Sequence, residues 1–135
     1  MKTKKNFFSR LLLTGIFLLI ISSCENKKDA GNPLLDTQWS GIGRIPMAEE
    51  IILKFSKDKM DVILENKVIE STKYEVKGNQ INFSKISGGS PCEVGAKGNY
   101  SFEITGDKLT IDAVTDECVA RTKSLKGSIL TRIEP

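Results

Sequence analysis

Residues 98–114, GNYSFEITGDKLTIDAV, read as a β-hairpin. Tyr100, Phe102 and Ile104 alternate with Ser101, Glu103 and Thr105, and Leu109, Ile111 and Ala113 alternate with Thr110 and Asp112. Successive side chains of a strand point to opposite faces, so each run buries one face and wets the other. Gly106-Asp107 between them is a two-residue loop of the kind that favours a primed turn. A turn there pairs Ile104 with Leu109, Phe102 with Ile111 and Tyr100 with Ala113. All six then share one face, and a slip of one residue would destroy the match.

The same reading extends in both directions. Gly78-Asn79 is a second two-residue turn, and it sets Val76 opposite Ile81 and Tyr74 opposite Phe83. Before it come strands at Thr37 to Arg44, Glu49 to Ser56 (Ile51, Leu53 and Phe55 on one face) and Met60 to Glu65 (Met60, Val62 and Leu64 on one face). Ser56 to Lys59 is the polar turn between the second and third. Lys67 to Thr72 fits as an extension of either neighbouring strand. Pro33 to Asp36 reads as one helical turn leading into the first strand, and Gly127 to Ile133 is the last strand. No helical periodicity runs beyond a turn. The sum is an all-β domain of about eight short strands, nearly all joined closely enough for antiparallel pairing of neighbours. Eight such strands close most simply into an up-and-down barrel, which removes exposed edges. A two-sheet sandwich is the alternative.

The N-terminus is a targeting segment. Lys2, Lys4, Lys5 and Arg10 make a basic start without acids, and Leu11 to Ile21 is almost wholly apolar but short for a bilayer span. Ile21-Ser22-Ser23-Cys24 resembles a bacterial lipobox, which implies that Cys24 is lipidated and becomes the first residue of the mature chain. An ordinary cleaved signal and an uncleaved anchor are the alternatives. The expected organisation is a signal peptide over 1–23, a polar tether over 24–32 and the barrel over 33–135. The expected place is the bacterial cell envelope, anchored by lipid to the outer membrane on its periplasmic or surface face. Several acyl chains hold a protein on a membrane where one does not.

Of 20 basic and 17 acidic residues, the signal removes four basic ones and no acid, leaving the mature chain slightly acidic. The apparent basicity belongs to targeting, so a nucleic-acid partner is excluded. In an oxidising compartment Cys92 and Cys118 form a disulfide most simply. Two free buried thiols are the alternative; a metal site is disfavoured because the chain has no His and no CxxC spacing. In an up-and-down meander successive connections alternate between the two ends of the barrel. The cysteines sit in the fifth and seventh connections, Ser84 to Lys97 and Thr115 to Lys126, so topology brings both to one mouth.

Leu35 to Gly41, LDTQWSG, resembles the opening of bacterial lipocalin-like domains, where a Trp early in the first strand plugs the closed end. The lipocalin signature has Gly two residues before this Trp; Thr37 stands there in this chain. The resemblance implies that Arg132, in ILTRI, packs against Trp39. Residues 98–102 (GNYSF), 106–110 (GDKLT) and 116–121 (DECVAR), with Cys92, resemble small secreted lipocalin-like proteins. The motifs speak for fold and disulfide. What the family implies about function is binding of a small hydrophobic ligand, and fold alone does not fix function.

Without His, serine–histidine, cysteine–histidine and histidine–metal chemistry are excluded. Asp116 and Glu117 read as solvated loop acids before they read as an acid–base pair. Gly41-Ile42-Gly43 and Gly88-Gly89 lead into no helix, so they are not phosphate loops; the first pair relieves crowding or bends its strand. No cofactor is called for, and a non-enzymatic protein is expected. Arg121 has two readings: a headgroup contact at the mouth, or an ion pair with Asp116 or Glu117 that pins the loop. Arg44, at the first connection, falls at the same mouth. The inner stripe of Phe55, Leu64, Tyr74, Phe83, Tyr100, Phe102 and Ile111 either lines a cavity or fills the interior. Two functions follow. In the first, a small apolar or amphipathic ligand binds at the mouth through Arg44, Arg121 and that stripe. In the second, a solid barrel contacts an envelope protein, or a hydrolase that it inhibits, through its disulfide-tied loops.

Overall fold

The structure is a computed structural model and describes residues 31–44 and 46–134. The signal segment and Cys24 lie outside the described residues. Eight strands run β1 (Gln38–Arg44), β2 (Ala48–Phe55), β3 (Lys59–Leu64), β4 (Lys67–Lys77), β5 (Gln80–Gly88), β6 (Lys97–Thr105), β7 (Lys108–Asp116) and β8 (Ser128–Ile133). Each pairs antiparallel with its sequence neighbour, and β8 returns to β1 to close the barrel. Every strand pairing falls between residues 38 and 133, so the barrel closes on itself without the N-terminal segment.

The hairpins obey the alternation of their sequences. Across Gly106-Asp107, Ile104 faces Leu109, Phe102 faces Ile111 and Tyr100 faces Ala113. Across Gly78-Asn79, Val76 faces Ile81 and Tyr74 faces Phe83. The Lys67 to Thr72 region belongs to β4, because a two-residue turn at Glu65-Asn66 ends β3 first. Both turn residues have positive φ, 49° and 63°, as a type I′ turn requires. The connection after β7 is not wholly irregular: Val119–Leu125 forms a helix, α1, of seven residues. It packs against β7 and β1, and its Ser124 Oγ donates to the Arg44 backbone carbonyl at 2.7 Å.

The closed end is built around Trp39, which is fully buried. The Arg132 guanidinium stacks over its ring at 4.4 Å from the centroid. Thr37 supplies what a glycine could not. Its hydroxyl donates to the Leu34 carbonyl at 2.6 Å and accepts the Trp39 indole N–H at 2.8 Å. Asn32, the last residue of the expected tether, is already bonded into the barrel: its Nδ2 donates to the Tyr74 hydroxyl at 2.8 Å. Tyr74 in turn donates to the Ser56 carbonyl at 2.7 Å. These bonds knot the chain entry, the β2–β3 turn and β4 together beneath the core.

Aromatic pairs fill much of the interior. Phe55 and Tyr74 meet edge to face at 5.1 Å, and Phe83 and Tyr100 at 5.4 Å. Leu53, Ile81, Leu109, Ile111 and Leu130 complete the packing with almost no exposure. Gly41 and Gly43 sit where space is tight, Gly41 against backbone and Gly43 against the tip of a flexible side chain. A Cβ on Gly41 would come within 3.1 Å of β8 backbone and of Leu130, and one on Gly43 within 2.7 Å of Ile51.

Candidate functional site

Not all of the interior is filled. A cavity of about 440 Å³ lies against β2, β3 and β4 and beneath α1. Its apolar wall is Ile51, Met60, Val62, Leu64, Ile69 and Leu125. Among the described residues, no strand from β5 to β8 lines it; beyond β4 the wall comes from the loop Gly89 to Cys92 and from α1. The barrel is therefore packed on one side and hollow on the other.

Of the side chains expected at the mouth, Arg44, Leu64 and Arg121 are brought together here. Phe55, Tyr74, Phe83, Tyr100 and Phe102 are not: all five are buried in the packed part of the core and do not line this cavity. Glu70, Thr72, Ser90, Ala120, Ser124 and Leu125, which the sequence reading did not single out, complete much of the wall. A larger open groove of about 830 Å³ crosses β4 to β7. It carries Lys73, Glu75, Lys77, Lys97 and Glu117, and offers a ligand no comparable apolar wall.

The mouth is held by covalent and ionic ties. Cys92 and Cys118 are joined in a disulfide, which links the loop before β6 to the start of α1. Both ends of that bond stand at the mouth that the alternating connections define. Lys85, only 4% exposed, reaches from β5 into the Gly89 to Cys92 loop. Its ammonium donates to the Ser90 carbonyl at 2.8 Å, the Ser90 hydroxyl at 3.1 Å and the Cys92 carbonyl at 2.8 Å, with the Glu70 carboxylate 3.9 Å away. One buried cation thus folds a whole loop into a cavity wall.

Arg121 pins the other side. Its Nε donates to Asp116 Oδ2 at 2.7 Å and its Nη2 to Asp116 Oδ1 at 2.8 Å, a bidentate pair. Nη2 also donates to the Ala96 carbonyl at 3.1 Å, which ties α1 to the start of β6. The Tyr100 hydroxyl and the Cys118 backbone N–H donate to the same carboxylate. Burial pushes the Asp116 carboxyl up, yet the bonds from Arg121, Tyr100 and Cys118 outweigh it and hold the group below the usual aspartate range. For the Tyr100 phenol, burial and then the bond to Asp116 act together and push it well up. Gly98 makes the cluster sterically possible: a Cβ there would lie 2.5 Å from Asp116 Oδ2 and 2.9 Å from the Tyr100 ring. The ion-pair reading of Arg121 holds, with Asp116 as the partner, and Arg121 borders the cavity as well.

Among the described residues no three His, Cys, Asp or Glu side chains converge as a metal site. Compared with known proteins, the chain matches no family model, no curated protein and no solved structure. Its own geometry shows a closed eight-stranded antiparallel barrel with a disulfide at the mouth, which is consistent with a calycin-like fold.

Proposed function

We propose that the protein is a lipid-anchored lipoprotein of the bacterial cell envelope, with a lipocalin-like barrel that binds a small apolar or amphipathic molecule without transforming it. The observation that carries this reading is the 440 Å³ cavity under α1. That volume lies within the range of small-molecule sites, and its wall has the composition of one: continuous apolar side chains with a few polar groups at set points. Burial of the ligand's apolar surface would drive association, at about 25 cal/mol per Å² before ordering costs. The anchor would rest on Cys24 and the basic-then-apolar start of the chain.

Native mass spectrometry of the chain from Asn26 onward, secreted to an oxidising periplasm without its lipid, tests the reading. An adduct that survives gentle ionisation and leaves on activation is the expected result. A bare protein that also fails to load from an extract of envelope lipids would overturn it. That outcome would turn attention to contacts made by the disulfide-tied loops.

A further inference from the structure

Alternation along an antiparallel strand puts apolar side chains inside the barrel and polar ones outside. On the side of β4 to β6 the outer surface follows this rule, with Lys73, Glu75, Asn82, Asn99, Ser101 and Glu103 all pointing out. On the side of β1 to β4 the rule is broken at one level of the barrel. Ile52 pairs with Ile63, and Ile63 with Val68, so three β-branched side chains line up across β2, β3 and β4. They lie on the outer face, because their neighbours Ile51, Leu53, Val62 and Leu64 belong to the core. Ile42 on β1 pairs with Glu50 and so stands diagonally next to Ile52. Gly41 lies against Leu130, which sets Ile129 of β8 beside Ile42. Ile42, Val68 and Ile129 are 60%, 56% and 65% exposed, and Ile52 and Ile63 are half-buried. A single exposed apolar residue needs no explanation, but a contiguous band marks a contact surface.

The charges beside the band identify what covers it. On its mouth side the next outward row holds Glu50 on β2 and Glu65 in the turn after β3, with Arg44 and Lys67 beyond that row. On its other side the next row holds Lys54 and Asp61. Asp61 is neutralised by Lys59 at 2.9 Å, and Lys73, across from Lys59, adds to the positive charge. The band therefore separates an acidic edge from a basic one. Glu50 and Lys54 are about 13 Å apart along one strand, too far to pair within a copy. A bilayer would meet both edges at once, and its anionic headgroups would repel the acidic one. A second copy turned end for end offers the same two edges in reverse order. The band then meets itself, and Glu50 of each copy meets the partner's Lys54.

We propose that the outer face of β1 to β4 is a two-fold self-association surface, in which the row Ile52, Ile63 and Val68 packs on the same row of a second copy running the opposite way, with Ile42 and Ile129 at the margin. Two convex barrels touch over few strands, so the contact is of the small, reversible kind. The chain between Cys24 and Asn32 reaches at most about 28 Å, which lets both copies of such a pair share one membrane when they lie along it.

The experiment is sedimentation equilibrium of the chain from Asn26 onward, without its lipid, across the micromolar range. A reversible dimer is expected. Ile52→Thr with Ile63→Thr keeps β-branched residues at outward positions, so melting temperature should stay near wild type while dimer affinity falls at least about tenfold. Glu50→Lys and Lys54→Glu should each weaken the dimer several-fold. Both changes in one chain should restore it, because the exchange returns opposite charges to the facing edges. A protein that stays monomeric, a dimer that the threonine pair leaves unchanged, or a charge exchange that restores nothing would overturn the proposal. A monomer that binds vesicles of phosphatidylglycerol and phosphatidylethanolamine, and loses that binding with the threonine pair, would give the face to a membrane and overturn it as well.

Discussion

Arg121 and Asp116 face each other in a fork-to-fork pair, Nε to Oδ2 at 2.7 Å and Nη2 to Oδ1 at 2.8 Å, and both side chains are buried. The pair joins the end of β7 to α1 and, through the Ala96 carbonyl, to the start of β6. Removing one partner of a buried pair strands the other charge. Asp116→Asn is therefore expected to destabilise the fold by about 3 kcal/mol, a fall in Tm of roughly 10–20 °C for a domain of this size. The pH dependence has a definite sign. The folded carboxyl titrates below its unfolded value, so its contribution is complete above the ordinary aspartate value of about 3.9. It is lost as pH falls through the lower folded value. Chemical denaturation from neutral pH down through this window should show a slope in the wild type that is reduced in Asp116→Asn.

Tyr100 gives the opposite limb. Its folded phenol is pushed up by burial and by the bond to Asp116, so its contribution is complete below the unfolded value of about 10 and is lost as pH rises beyond it. Tyr100→Phe is expected to cost about 1.5–3 kcal/mol at neutral pH, the worth of a hydrogen bond to a charged group. It should also flatten the alkaline fall in stability, measured by urea unfolding above about pH 10.

Reduction of Cys92–Cys118, or the double substitution Cys92→Ala with Cys118→Ala, opens a loop of sequence separation 26. The chain-entropy argument puts the loss at roughly 3–4 kcal/mol. Amide hydrogen exchange should localise part of it. Residues 119–125 of α1 are expected to lose protection first, while the β6–β7 hairpin, with its own ladder of backbone bonds, keeps most of its own.

Thr37→Val keeps the branched shape but removes the acceptor of the Trp39 indole N–H. Leaving a buried donor unpaired costs about 1–3 kcal/mol, and Thr37→Ser should restore most of it. Because Trp39 is the one tryptophan of the chain, its emission reports the change without ambiguity.

The hairpins were readable in the sequence for a local reason. Gly106-Asp107 and Gly78-Asn79 each stand at the centre of an alternating pattern, so turn chemistry and face agree on a single register. The turn at Glu65-Asn66 is also two residues long but lacks a glycine, and the Lys67 to Thr72 region stayed ambiguous as a result. The helix α1 escaped because seven residues are too few for a helical period to show. Its buried face, Arg121 and Leu125, is one pair at spacing four. Arg44 and Arg121 were placed by topology, which needs only the order of connections. The aromatic stripe was a different problem. Alternation says that Phe55, Tyr74, Phe83, Tyr100 and Phe102 point inward, but it does not say which side of the interior is packed. Thr72 is hidden for the same reason: it shares the inward phase of Tyr74, and only closure of the barrel shows that it borders empty space.

The most direct test of the hollow side is a methyl NMR titration of the chain from Asn26 onward with decanoate, using protein labelled at Ile, Leu, Val and Met methyls. The account predicts shifts at Ile51, Met60, Val62, Leu64 and Leu125, which line the cavity, and little change at Ile81, Leu109, Ile111 and Leu130 in the packed core. Shifts confined to outward residues such as Ile42 and Ile129, or none at all, would contradict it.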